Sequence, residues 1–364
     1  MNFKKMDFTE KFGQMIMLGL DTYEINDEII SLIRDYKIGG VVLYKKNYTS
    51  LESMIEFINK LKSINSENKI PLFIAIDQEN GVVNRLPKDI VNMYSAKKQV
   101  ATHNLDIINS INELTTYLLK TVGVNMNFAP VLDIEHNNKS KVLEHRCYGK
   151  TKEEVIKYAL PFMKSMKNAN IISVVKHFPG HGLSDKDSHV TYPRIKNNNV
   201  LDNCDIIPFK EAILNGCDAV MTGHIKIKGY GLNPCSTNKR IIQEKLLNNC
   251  KYNGFIITDD LRMGLNRYKS SIKKKIIKAV EAGNNVLLVK YKKNDIKNIY
   301  KPIYNLVNNY EIDIEKIDNS AKKIIAMKKK YQITDEVINT NLNIKEINKR
   351  IKNINKVIDK ELKI

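Results

Sequence analysis

Apolar residues along this chain fall into two alternating patterns. Short runs, continuous rather than alternating in hydrophobicity, recur at 14–19 (QMIMLG), 39–44 (GGVVLY), 71–77 (PLFIAID), 125–133 (NMNFAPVLD), 171–178 (IISVVKHF), 219–225 (AVMTGHI), 254–260 (GFIITDD) and 285–290 (NVLLVK). Runs without a polar face suit strands buried on both sides, as in parallel sheets. Between them lie segments with helical spacing. Residues 26–36 carry Ile29, Ile30, Leu32 and Ile33, and residues 51–63 carry Leu51, Met54, Ile55, Ile58 and Leu61. Further helices are predicted over 106–121, 152–168, 207–215, 239–249, 270–282 and 294–308. Eight strands in alternation with eight helices predict an α/β fold, a parallel sheet closed into a (β/α)8 TIM-type barrel. An open doubly wound sheet is the alternative, but no G-x-G-x-x-G follows an early strand.

Residues 314–331 predict one more amphipathic helix. Beyond it, Ile344, Ile347, Ile351, Ile354, Val357 and Ile358 keep helical spacing in a stretch rich in Lys and Asn. The predicted organisation is a single barrel domain over 1–331 with a C-terminal helical extension over 332–364. Whether that extension packs or stays free is not decided by its pattern.

Composition narrows the class. The 364 residues are 43% hydrophobic and 27% charged, which excludes a wholly disordered chain. No apolar run reaches the roughly 18 to 20 residues that span a bilayer. Met1 to Glu10 is polar and mixed in charge, without the pattern of a signal peptide, so a cytoplasmic protein is expected. Cys147, Cys204, Cys217, Cys235 and Cys250 are odd in number and form no C-x-x-C pair, which points to reduced thiols. The net charge of +19 raises the question of an anionic partner. Only 8 of the 59 basic residues are Arg, and aromatic residues are not interleaved with the Lys runs, so no nucleic-acid partner is expected.

Candidate chemistry sits where a barrel would display it, at the C-terminal ends of the strands. The third strand ends in Asp77-Gln78-Glu79-Asn80-Gly81. The fourth ends in Asp133, with Arg146 in the loop beyond. The fifth ends in Lys176-His177-Phe178-Pro179-Gly180-His181-Gly182. The sixth ends in Thr222-Gly223-His224 and the seventh in Thr258-Asp259-Asp260. A single Asp at a strand end more often caps the next helix, and Asp133 and Asp260 fit that reading best. Five successive strand ends are harder to explain one at a time.

The loop from Gly180 to His189 has the densest chemistry. Asp187 and His189 are two apart, so extended backbone puts both on one side. A carboxylate beside an imidazole stabilises its protonated form and makes an acid/base pair tuned near neutral pH. The alternative for the same residues is a metal site of His177, His181 and His189.

The segment VVKHFPGHGLSDKDSHVTYP resembles the signature of glycoside hydrolase family 3. IDQENGVVNRL, NFAPVLDIEHN with RCYG, VMTGHI and GFIITDDLRMG resemble further motifs of that family in the family's order, over about residues 8 to 330. Within the family the chain is most similar to the single-domain bacterial β-N-acetylglucosaminidases of cell-wall recycling. The resemblance implies a retaining enzyme that releases terminal N-acetylglucosamine from muropeptides or chito-oligosaccharides as a monomer, without metal or organic cofactor. It implies Asp259 as nucleophile, His189 as acid/base with Asp187 as its partner, and Asp77, Arg146, Lys176 and His177 as sugar-binding residues. A family-3 β-glycosidase or phosphorylase of other preference, and a non-catalytic sugar-binding barrel, are the alternatives. Asn80, Val82, Asn84 and Cys147 stand where the family usually has Gly, Arg, Gln and Ser.

Overall fold

The structure, a computed structural model, describes residues 6–136, 142–184, 192–263, 271–301, 305, 313–340 and 342–363. Asp187 and His189 lie outside the described residues.

The eight predicted runs are eight strands. In chain order, counting two short outer strands, they are β1 (Ile16–Leu20), β2 (Gly40–Leu43), β3 (Phe73–Ile76), β4 (Met126–Asn127), β5 (Ile172–Phe178), β6 (Arg194–Ile195), β7 (Ala219–Thr222), β8 (Lys226–Ile227), β9 (Phe255–Thr258) and β10 (Leu287–Lys290). The main sheet runs β10-β1-β2-β3-β4-β5-β7-β9 with every pairing parallel. A parallel bridge from Ile257 to Val286 joins β9 to β10 and brings the ring almost to closure. Strands β6 and β8 form a separate parallel pair outside it. The result is a (β/α)8 TIM-type barrel. Its strands are buried on both faces, which is why they lack a polar register.

Helices shield the outside. Asn26 caps Asp27–Arg34 by accepting from the Ile29 N–H at 3.0 Å, and that helix buries Ile29, Leu32 and Ile33. Lys152–Asn168 starts on a Thr151 cap. The segment predicted at 239–249 continues as π-type helix from Ile242 to Asn249, and that at 294–308 is seen as Ile296–Tyr300. An unpredicted helix, Phe8–Met15, pairs with Ile314–Lys330 beside the start of β1.

The predicted tail helix spans Ile344–Leu362 and is packed. It buries Ile347, Ile351 and Ile358. Its Asn348 accepts from the Val91 N–H at 2.8 Å and donates to Asp89 O at 2.7 Å, and its Asp359 takes bonds from Tyr94 Oη and Lys98 Nζ, all at 2.9 Å. The helix therefore braces the segment that follows β3.

The N-terminal end of the barrel is closed by Lys328. Its side chain is buried, with Nζ 2.7 Å from both Gln14 Oε1 and Gly39 O and 4.5 Å from the Phe73 ring centre. Burial pulls this ammonium down to about 7. The unfolded chain then binds more protons than the folded one between about pH 7 and the ordinary lysine value, so stability rises with pH across that window. Lys328→Met is expected to flatten that rise. Chemical denaturation of both proteins at pH 7 and pH 9 checks it, and parallel slopes would refute it.

Candidate active site

The site is built at the C-terminal ends of β3, β4, β5 and β9. Leaving β3, the chain turns sharply through Gln78 to Leu86. Asn127 of β4 fixes the exit, since its Oδ1 accepts from the Gln78 N–H at 2.9 Å and its Nδ2 donates to Gln78 O at 3.0 Å. Gln78 Oε1 closes the turn by accepting from the Arg85 N–H at 2.8 Å. Asn80 has φ 71°, in the left-handed region that favours glycine and that Asn tolerates better than most residues. Asn at this family glycine position therefore keeps the backbone path.

This turn places Glu79 at the centre of a buried ion cluster. Its two oxygens accept a fork of bonds from Arg146 Nε and Nη2, both at 2.7 Å. Lys176 Nζ lies 2.5 Å from Glu79 Oε1 and 2.7 Å from Asp77 Oδ1. Burial alone would raise the Glu79 carboxyl, but the guanidinium and the ammonium outweigh it and hold the group well below the ordinary range. Burial disfavours charge on Arg146 too, and Glu79 more than restores it. Such forked pairs fix the orientation of a guanidinium.

Asp133 has no exposure. It caps no helix. Its Oδ2 is 2.7 Å from His177 Nδ1, and its Oδ1 accepts from the backbone N–H groups of His177 (3.3 Å) and His181 (2.7 Å). Burial pushes this carboxyl up, and the two histidines bring it net down. Asp133 thus fixes the His177 ring and the start of the glycine-bearing loop. Gly182 in that loop is needed for close approach, since a Cβ there would lie 2.0 Å from Ile134 O.

Asp259 follows β9. Its backbone N–H donates to Thr222 O at 3.0 Å and its Oδ1 accepts from the Asp260 N–H at 2.8 Å. Burial raises the Asp259 carboxyl. The imidazoles of His224 and His177, the Asp260 N–H and the Lys176 ammonium bring it net below the ordinary carboxylate range. His224 is pushed down by its own burial, so at neutral pH it faces Asp259 uncharged. Arg146 spends its guanidinium on Glu79 rather than on Asp259. Behind Asp259, Lys275 Nζ donates to Leu261 O at 2.9 Å and Met263 O at 2.7 Å and pins the turn.

Asp77, Glu79, Arg146, Lys176, His177, His181 and Asp259 line one cleft of about 140 Å³, with Phe128, Met221 and Leu288 as apolar wall. The structure thus brings together Asp77, Arg146, Lys176, His177 and Asp259 from three strand ends and one loop. His224, part of the strand-end cluster, is scaffold: Nδ1 is 2.6 Å from Ser236 Oγ and Nε2 is 2.7 Å from Asp260 O. Asp260 accepts from the N–H groups of Arg262 (2.9 Å) and Lys290 (3.0 Å) and ties the turn after β9 to the end of β10. Glu79 was missed as a functional residue. Its signal was its position two residues after Asp77, which returns it to the same side in extended chain. Among the described residues, His136, Cys204 and Asp205 are grouped like metal ligands. There, His136 Nε2 already bonds Asp205 at 3.0 Å.

A barrel carrying a cleft of carboxylates and cations at its strand ends is an enzyme architecture that glycoside hydrolases share, and the sequence narrows it to that class. The N-terminal domain profile of glycosyl hydrolase family 3 matches residues 8–327, and the chain belongs to that family. It is similar to Beta-hexosaminidase A of Pseudoalteromonas piscicida, with 28% identity over 334 residues, covering 83% of this chain and 55% of that protein. It is 29% identical over 259 residues to a Beta-hexosaminidase of Nitrosomonas eutropha, covering 69% of this chain and 73% of that one. Among solved structures it resembles a glycoside hydrolase family 3 beta-N-acetylglucosaminidase from Paenibacillus sp., with TM-score 0.88 and 29% identity, over 96% of this chain and 68% of that one. No helix among the described residues is long and apolar enough to cross a membrane.

Proposed function

We propose that the protein is a retaining exo-β-N-acetylglucosaminidase, with terminal β-linked N-acetylglucosamine of muropeptides as its substrate. One observation carries the reading. Among the described residues, Asp259 is the cleft carboxylate not spent on a cation or an imidazole. Asp77 and Glu79 are bound to Lys176 and Arg146, and Asp133 to His177. An ionised carboxylate free of a cationic partner, at a strand end and beside fixed donors, is what a glycosyl-enzyme intermediate requires. Asp259 attacks the anomeric carbon as the leaving oxygen takes a proton from His189. His189, with Asp187 as its partner, then takes a proton from the water that releases the sugar. Asp77, Arg146, Lys176 and His177 hold the hydroxyls and the acetamido group. The hexosaminidase names of the relatives support the N-acetyl preference.

The test compares p-nitrophenyl β-N-acetylglucosaminide with the glucoside, with EDTA present and with and without phosphate. Fast release from the N-acetyl sugar alone, indifferent to EDTA and phosphate, is expected. Release accelerated by phosphate with a sugar 1-phosphate product would replace hydrolysis by phosphorolysis. No release from either would overturn the reading.

His189→Ala is expected to cost about 10²- to 10⁴-fold on poor leaving groups but far less on p-nitrophenyl glycosides, which leave with little proton assistance. Equal losses on a chito-oligosaccharide and the aryl glycoside would remove His189 from the acid role.

A further inference from the structure

His181 stands in the cleft wall, 2% exposed, with its ring centre 6.2 Å from that of His177. Its polar atoms are unequally used. The backbone N–H goes to Asp133. Ring Nδ1 is 2.7 Å from Ser184 Oγ, and the same oxygen is 2.7 Å from His181 O. A serine hydroxyl has one proton to give, and a carbonyl has none. If that proton went to Nδ1, Oγ and the carbonyl oxygen would face each other at 2.7 Å with no hydrogen between them. Both contacts are satisfied when the hydroxyl donates to the carbonyl and Nδ1–H donates to the hydroxyl. That fixes the tautomer and leaves a bare lone pair on Nε2. Nε2 is buried and has no hydrogen-bond partner among the described residues. Burial also holds this imidazole below its ordinary range, so it remains neutral at pH 7.

The rest of the cleft wall offers few unengaged acceptors. Lys176 and Arg146 can only donate, both oxygens of Glu79 and Asp77 Oδ1 already accept from them, and Asp259 is assigned to the anomeric carbon. A sugar hydroxyl donates as well as accepts, and an acetamido group carries an N–H. Each needs an acceptor that is not already engaged.

We propose that His181 Nε2 accepts a hydrogen bond from the bound sugar, and so is a substrate-binding residue fixed in its acceptor form by Ser184. This rests on the reading of the cleft as the sugar site. Truncation leaves the donor on the sugar without its partner in a desolvated site.

The test is steady-state kinetics of His181→Ala, His181→Gln and Ser184→Ala on the two p-nitrophenyl glycosides, with melting curves and binding of free N-acetylglucosamine. His181→Ala is expected to raise KM about tenfold while kcat changes by less than about threefold. His181→Gln places an amide oxygen at the same reach and recovers most of the loss. Ser184→Ala keeps the imidazole but frees its tautomer, and raises KM by about threefold. The KM rise is expected on the N-acetylglucosaminide, with binding of free N-acetylglucosamine weakened in parallel; if the glucoside is turned over too, a rise on both identifies a hydroxyl as the donor. His181→Ala with KM within about twofold of an active wild type, or His181→Gln no better than His181→Ala, overturns the proposal alone. A wild type that neither cleaves these glycosides nor binds N-acetylglucosamine overturns the reading of the cleft and this proposal together.

Discussion

Asp259→Ala is expected to abolish turnover while leaving the barrel folded. Removing a nucleophile from a covalent mechanism costs on the order of 10⁴-fold or more, about 5 kcal/mol of transition-state stabilisation. Stability should change little, because Lys176, the nearby cation, keeps Asp77 and Glu79 as partners. The two sides of the expectation are read separately, by p-nitrophenol release and by thermal melting. Asp259→Asn, of nearly the same size, is a second check, since it removes the charge and keeps the Asp260 N–H contact. A variant that keeps even a tenth of wild-type turnover would exclude Asp259 as the nucleophile.

Glu79→Gln is expected to have the largest effect on stability. One buried carboxylate neutralises a fork from Arg146 and a contact from Lys176. Removing one partner of a buried ion pair costs roughly 3 to 5 kcal/mol, because the remaining charge stays desolvated. Asp77 would still hold Lys176, but Arg146 would lose its counter-charge and one arm of the fork, keeping a neutral amide oxygen and Val142 O. Activity should fall with stability, since the two cations proposed to hold the sugar lose their orientation. The pH dependence has a definite sign. The Glu79 pKa is lowered on folding, so its contribution is present above the unfolded value of about 4.3 and fades as pH falls below it. The gap between wild type and variant, measured by urea unfolding at pH 7 and pH 4, should narrow at the lower pH. An unchanged midpoint at pH 7 would show that the cluster is not held by Glu79.

The barrel was legible because parallel strands buried on both sides leave continuous apolar runs. The strand limits were less so. The run at 125–133 pairs as a ladder only at Met126 and Asn127. Beyond them the chain meets β5 through a bridge from Val131 to Lys176, and it ends at Asp133, whose carboxylate turns inward to His177. Local pattern could not separate that inward Asp from a helix cap, because both are an Asp after a strand. Asp260 illustrates the same limit, since its partners are backbone groups near it in sequence and 30 residues away.

What the chain determined by itself was the alternation of buried runs and amphipathic helices, and the family motifs that place Asp77, Lys176, His177 and Asp259 at strand ends and Arg146 in the loop after the fourth. Covalent order is enough for that, because a parallel barrel puts the end of every strand on one face. The tertiary structure decided how those charges are spent. Arg146 meets Glu79 across 67 residues and Lys176 meets Asp77 across 99. Which carboxylate is neutralised, and which is left free in the cleft, depends on distances of a few ångströms between separate strands, and no local pattern records them.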